Sequence, residues 1–233
     1  MKIALLGYGR MGKSIEDIAL QRNHNITLKI SDATSDYNFT GADVAIDFSV
    51  PTVAVTNIKK ALDAGIPVIS GTTGWLDHYQ NILDYCKEKN GTFLYASNFS
   101  LGVNIFFELN KRLSELMSGF NEYTTEIEEI HHTQKLDKPS GTAITLANKI
   151  IKNTDYTNWT LNQPEPKEIH IEAKRIENVP GTHEITYNSE IDSISIKHTA
   201  HSRQGFAMGA VIAAEWIKDK KGVFSMKDVL NIG

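Results

Sequence analysis

Apolar positions recur with two different periods along this chain, and the switches between them predict its elements. Lys2–Leu6, Ile26–Ile30, Asp43–Phe48, Pro67–Ser70 and Thr92–Ala96 are short apolar runs that read as buried strands. Between them, Met11–Arg22, about Thr52–Ala64 and about Leu76–Lys89 carry helical spacing. This β-α-β alternation predicts a mostly parallel sheet with helices on both faces. The link Ser31–Gly41 is short and polar, with no crossover helix visible in its pattern. Beyond Asn98 the character changes. Val103–Met117 reads as a long amphipathic helix, Thr124–Ile130 as a strand and Gly141–Ile151 as a helix. Lys167–Arg175, His183–Asn188 and Ile191–His198 alternate in strand fashion, with a hairpin turn at Tyr187–Glu190. An open mixed sheet covered by helices on one side is expected there. Asn153–Pro166 shows turn-formers and no period, so it reads as an exposed loop, and Phe206–Ile217 reads as a final helix returning to the first domain. The expected class is α/β: residues 1–99 and 204–233 form a parallel-sheet domain, and residues 100–203 form an α+β domain.

Composition narrows the function classes. The formal net charge is −4, which disfavours broad attraction to nucleic acid or an anionic membrane, so any cationic site must be local. A single cysteine, Cys86, excludes an intramolecular disulfide and favours a reducing, cytoplasmic setting. It falls mid-helix and reads as a packing residue. Met1-Lys2 leads straight into a short strand, unlike a signal peptide. No apolar run approaches the roughly 20 residues needed to span a bilayer.

Gly7-Tyr8-Gly9-Arg10-Met11-Gly12 fits G-x-G-x-x-G between a strand and a helix. The first glycine permits the tight turn, the second lets a pyrophosphate approach the backbone, and the third lets helix and strand pack closely. Asp32, about 20 residues further on at the end of the second strand, is suited to accept hydrogen bonds from an adenosine ribose. Its carboxylate repels a 2′-phosphate and Ala33 follows it, so NADH is expected to serve at least as well as NADPH. The first domain is therefore read as a Rossmann-type dinucleotide domain. The loops Gly71-Thr72-Thr73-Gly74 and Ala96-Ser97-Asn98-Phe99-Ser100 also follow strands at the carboxyl edge, where such sheets bind ligands. Ordinary tight turns would look the same.

The densest chemistry lies in residues 129–143, Glu-Ile-His-His-Thr-Gln-Lys-Leu-Asp-Lys-Pro-Ser-Gly-Thr-Ala. His131, His132 and Lys135 are candidate proton carriers, and Pro139-Ser140-Gly141-Thr142 reads as a helix entry that favours an anion. Taken singly, each has a bland counterpart: a structural histidine, a solvated lysine, a helix cap. Together they suggest a site for a small acid. No spacing among His131, His132, His198 and His201 suggests a zinc site, and no metal is expected.

These motifs, with His201-Ser202-Arg203 and Phe206-Ala207-…-Gly209-Ala210 near the end, resemble the 4-hydroxy-tetrahydrodipicolinate reductase (dihydrodipicolinate reductase) family of the diaminopimelate route to lysine. The resemblance runs the full length, and its His-His…Lys…Pro-Ser-Gly-Thr string is the specific part. It implies hydride transfer from NADH or NADPH to a small unsaturated dicarboxylate, in a homotetramer without nucleic-acid or membrane partners. By position it implies His131 and Lys135 as proton carriers, and His132, Gly141 and Thr142 as substrate contacts. It places Gly7 to Gly12, Asp32, Gly71, Thr72, Thr73, Tyr95, Ala96, Ser97 and Asn98 on the dinucleotide. The second domain would carry substrate and the tetramer sheet. Tyr8 departs from the small residue usual after the first glycine. Two other readings stay open here: another two-domain NAD(P)-dependent amino-acid or semialdehyde oxidoreductase, and a non-catalytic dinucleotide-sensing regulator. Neither accounts for the His-His…Lys string.

Overall fold

The computed structural model describes residues 1–31, 36–202 and 204–232. In chain order the elements are β1 (Lys2–Leu6), α1 (Arg10–Gln21), β2 (Asn25–Ile30), β3 (Val44–Asp47), α2 (Pro51–Asp63), β4 (Val68–Ser70), α3 (Tyr79–Glu88), β5 (Thr92–Tyr95) and α4 (Leu101–Met117). They continue as β6 (Thr124–His131), α5 (Gly141–Asn153), β7 (Asn158–Thr160), β8 (Glu168–Arg175), β9 (Gly181–Asn188), β10 (Ser193–Ala200), α6 (Gln204–Ile217), β11 (Gly222–Phe224) and α7 (Met226–Leu230). Two compact units result: Met1–Asn104 with Gln204–Gly233, and Ile105–Arg203.

The first unit is built on a parallel sheet of order β11-β5-β4-β3-β1-β2. Its strands are apolar on both faces because both faces are covered. Ile3, Leu5, Val44, Ile46, Ile69 and Leu94 pack under α1, α6 and α7. Ala4, Leu6, Ala45, Val68 and Phe93 pack under α2 and α3. Pro51 opens α2, where its missing N–H costs nothing. The described part of the β2–β3 connection holds no helix.

The second unit has a mixed sheet of order β10-β9-β6-β8-β7. β9 pairs antiparallel with both β10 and β6, while β8 runs parallel to β6 and β7. One face is apolar: Ile127, Ile169, Ile171, Ile185 and Tyr187 pack with Phe106 and Met117 of α4 and Leu146, Ala147 and Ile150 of α5. The opposite face carries charge, with Lys174 bound to Glu128 and Glu172, and Lys197 to Glu184.

Two expectations need correction. Asn153–Pro166 is not wholly loop, because it contains edge strand β7, held on β8 and by the backbone of Thr157 donating to Lys167. Phe206–Ile217 is not the final element, since β11 and α7 follow and add a sixth strand to the first sheet. Three-residue strands and a five-residue helix are too short to show a period.

Candidate active site

In the first unit, four loops gather at the carboxyl edge of the sheet. The N–H groups of Gly7 and Tyr8 both donate to Ile30 O (3.0 and 2.9 Å), turning the chain sharply out of β1. Gly7 has φ +101°, and a Cβ there would lie 2.2 Å from Phe48 O. A Cβ on Gly12 would lie 2.3 Å from Gly7 O, so helix and turn touch through glycine alone. Gly9 differs: a Cβ there meets nothing within 4 Å. Gly9 caps α1 without a side-chain hydrogen bond, and the first turn holds no acidic residue. Open space, helix-start N–H groups that no group among the described residues takes, and the positive end of a helix dipole fit a dinucleotide pyrophosphate. Arg10 and Met11 open α1, and the Tyr8 hydroxyl donates to Glu16 with Lys29 over its ring. Asp32 and Arg203 lie outside the described residues.

The Gly71–Thr73 and Tyr95–Asn98 loops flank this edge. Gly71 N–H donates to Asp47 O, and Ala96 N–H to Ser70 O. The Thr72 hydroxyl turns inward, donating to Asp47 (2.8 Å) and accepting from Ser49 N–H (2.9 Å), and the Thr72 carbonyl accepts from the Trp75 indole N–H (2.7 Å). Thr73 and Ser97 are exposed, and Asn98 accepts from Ser100 N–H. Asp47 is fully buried and accepts from Ser49, Asn57, Ser70 and Thr72 side chains. Burial pushes its carboxyl up, and those four donors oppose the rise. Asp47 ties two of the loops together, a role that an acid inside an apolar run does not announce in sequence.

In the second unit the 129–143 segment spans a strand end, a turn and a helix start. β6 buries alternate residues Thr125, Ile127, Glu129 and His131. Side chains two apart on a strand share a face, so Glu129 and His131 lie side by side. His131 Nδ1 is 3.3 Å from Glu129 Oε2 without forming a hydrogen bond, and its ring meets that of His183 at 5.0 Å. Glu129 is wholly buried and accepts from Ser140 N–H (3.1 Å) and Arg175 (3.0 Å). Burial alone would raise its carboxyl, but His131, Ser140 and Arg175 outweigh it and bring it down to about 2. Burial, with His131 adding to it, pushes the His183 imidazole down to about 3, so it is neutral at pH 7.

Lys135 follows in a turn, where its N–H donates to His132 O and its ammonium pairs with Asp137 at 2.7 Å. Ser140 caps α5 by accepting from Ala143 N–H (3.2 Å), and its hydroxyl meets His183 Nε2 at 3.1 Å. Ile144 N–H donates to Ser140 O. Among the described residues no group takes the N–H of Gly141 or Thr142, so these are the donors an anion would meet. His132 is half-buried and lines a cavity of about 290 Å³ with Gln134, Glu177 and Pro180. The structure thus brings His131, Lys135 and the α5 start into one network and turns His132 to an adjoining hollow.

Sequence reading missed Glu129, Arg175 and His183. The signal for Glu129 was present: an acid in phase with Ile127 demands a buried partner. Glu129, His131 and His183 also place metal-ligand atoms within 4.8 Å of one another. Arg175 already occupies the carboxylate, and its charge opposes a cation there.

The family described as dihydrodipicolinate reductase, N-terminus, matches residues 21–99, and that described as dihydrodipicolinate reductase, C-terminus, matches residues 102–230. A protein named 4-hydroxy-tetrahydrodipicolinate reductase from Christiangramia forsetii is 58% identical over 234 residues, 99% of this chain and 98% of its own. One of the same name from Methanosarcina acetivorans is 36% identical over 99% of this chain and 89% of its own. A dipicolinate-bound dihydrodipicolinate reductase from Paenisporosarcina sp. TG-14 shares the fold, with TM-score 0.77 over 97% of each chain at 21% identity. Both halves of the sequence match, and a relative 58% identical over nearly its whole length carries a reductase name of the same family: the chain belongs to the dihydrodipicolinate reductase family.

Proposed function

We infer that this chain catalyses the 4-hydroxy-tetrahydrodipicolinate reductase reaction, forming tetrahydrodipicolinate at the expense of NADH or NADPH in the diaminopimelate route to lysine. The observation that carries the reading is the 129–143 network: proton carriers His131 and Lys135 beside a helix start whose Gly141 and Thr142 N–H groups are open. A bound nicotinamide dinucleotide supplies the hydride. The Gly7–Gly12 turn and α1 start would hold its pyrophosphate, and Asp32, Gly71–Thr73 and Tyr95–Asn98 the remainder. Hydride addition leaves one negative charge spread towards the ring nitrogen and carbon, and the His131–Lys135 pair supplies the single proton that meets it. Gly141 and Thr142 hold one carboxylate through backbone N–H groups, and His132 contacts the substrate. A homotetrameric, cytoplasmic enzyme belongs to the same reading, supported by the family resemblance.

The direct test is NADH oxidation by the purified chain with substrate supplied by dihydrodipicolinate synthase; no turnover would remove the reading. Cofactor choice has its own outcome. Asp32 disfavours a 2′-phosphate, so kcat/KM for NADH is expected to equal or exceed that for NADPH, and a large NADPH preference would contradict it. Gly9→Ala separates binding from folding. Its Cβ enters empty space, so the thermal midpoint is expected to stay put, while the dissociation constant for NADH rises about tenfold as the pyrophosphate is held off. Unchanged affinity by calorimetry would move the pyrophosphate elsewhere.

A further inference from the structure

We propose that Glu129 is a positioning residue, whose buried carboxylate ties His131, the turn bearing Lys135 and the first turn of α5 into one arrangement. The inference rests on the reductase reading and adds a residue to it. Three contacts define the role. Oε2 faces His131 Nδ1 at 3.3 Å. Both carboxylate oxygens accept from Ser140 N–H at 3.1 Å, fixing the entry to α5. Oε1 accepts from Arg175 at 3.0 Å, and the same guanidinium donates to Lys135 O (3.3 Å) and Asp137 O (2.6 Å). Arg175 stands opposite His131 in the β6–β8 register, so it reaches the turn from the neighbouring strand.

A carboxylate buried this completely would be costly if it served packing alone. Here it meets a ring, a helix start and a clamp at once. With Nδ1 towards Glu129, the Nε2 edge of His131 is the one left to work. A Cβ at position 181 would come within 3.2 Å of Nε2, and Gly181 leaves that edge clear. Among the described residues, the charged or titratable groups placed against His131 are Glu129 on its own strand, Arg175 opposite it on β8 and His183 on β9; the Ser140 hydroxyl that caps α5 meets His183. His183 is neutral at working pH. Glu129 and Arg175 thus bring opposite charges to the surroundings of the ring.

The test measures kcat, KM and the pH profile of kcat/KM for wild type, Glu129→Gln, Glu129→Asp and Arg175→Gln. Dipicolinate affinity across pH, by calorimetry, accompanies each. Glu129→Gln is expected to lower kcat roughly 10- to 100-fold with NADH affinity unchanged. The pH at which kcat/KM and dipicolinate binding fall off should move down by about one unit in Glu129→Gln and up in Arg175→Gln. Glu129→Asp keeps the charge, so its profile should stay at the wild-type pH although kcat is lower. A purely structural role would lower activity in all three and shift none. If Glu129→Gln does not fold, the upward shift in Arg175→Gln decides alone: its presence supports the role and its absence overturns it. Wild-type turnover with unshifted profiles overturns this inference only. Absence of both turnover and dipicolinate binding in the wild type overturns the reductase reading and this inference with it.

Discussion

Lys135→Ala and His131→Gln are each expected to lower kcat by roughly 10²-fold or more, the usual contribution of a placed proton donor. The two substitutions remove different things. His131 is 8% exposed, ends β6 and faces Glu129, so glutamine keeps much of its bulk and loses only the imidazole. Lys135 lies in a turn whose backbone Arg175 holds, so alanine removes the ammonium and leaves the turn anchored. Gly7–Gly12 belong to the first compact unit, and His131 and Lys135 to the second. NADH affinity should therefore stay within about twofold in each variant, well under the 1.4 kcal/mol of a tenfold change. Stopped-flow hydride transfer and fluorescence titration of NADH measure the two quantities separately. Unchanged turnover in both variants would remove the proton-carrier assignment.

Gly209→Ala is expected to destabilise the first unit by about 3 kcal/mol, at or above the upper end for overpacking. Gly209 lies in α6, and a Cβ there would stand 1.7 Å from Phe99 O and 2.7 Å from Phe99 C. Those atoms are backbone in a loop held by Asn104 donating to Asn98 O and Ser100 O, so no rotamer change relieves the clash. The same substitution four positions before it gives the control. At Gly205 the nearest atom is Ser100 Oγ at 3.6 Å, an ordinary contact, and alanine should leave stability unchanged or raise it by about 0.5 kcal/mol through helix propensity. Urea midpoints for both variants check the contrast. A Gly209→Ala protein that unfolds with the wild type would show that α6 does not press on the Phe99 loop.

Legibility in the sequence followed element length and chain distance. Strands such as Lys2–Leu6 and helices such as Met11–Arg22 are long enough to display a period, and they appear within a residue or so of their expected bounds. β7, β11 and α7 are not, and their places depend on pairing with strands remote in sequence. The site shows the same division. His131, Lys135 and Gly141-Thr142 stand out because proton-carrying and helix-opening residue types crowd a short segment. Arg175 lies 46 positions from Glu129, and only the β6–β8 pairing brings them together. Glu129 itself hid in plain view between Glu128 and Ile130, where an acid reads as solvent-facing until the alternation from Thr125 is followed.

The return of residues 204–233 to the first sheet has a consequence for biosynthesis. As the chain leaves the ribosome, residues 105–203 are complete as a unit while the unit begun before them is not. Until α6 emerges, one face of the first sheet lacks Ala207, Ala210, Val211, Ala214 and Ile217, and β5 lacks its β11 neighbour. Part of an apolar sheet face, beside the area α1 covers, and an unpaired parallel edge thus stay open until then, the kind of surface chaperones recognise. The segment that follows the second unit is the one that closes the first.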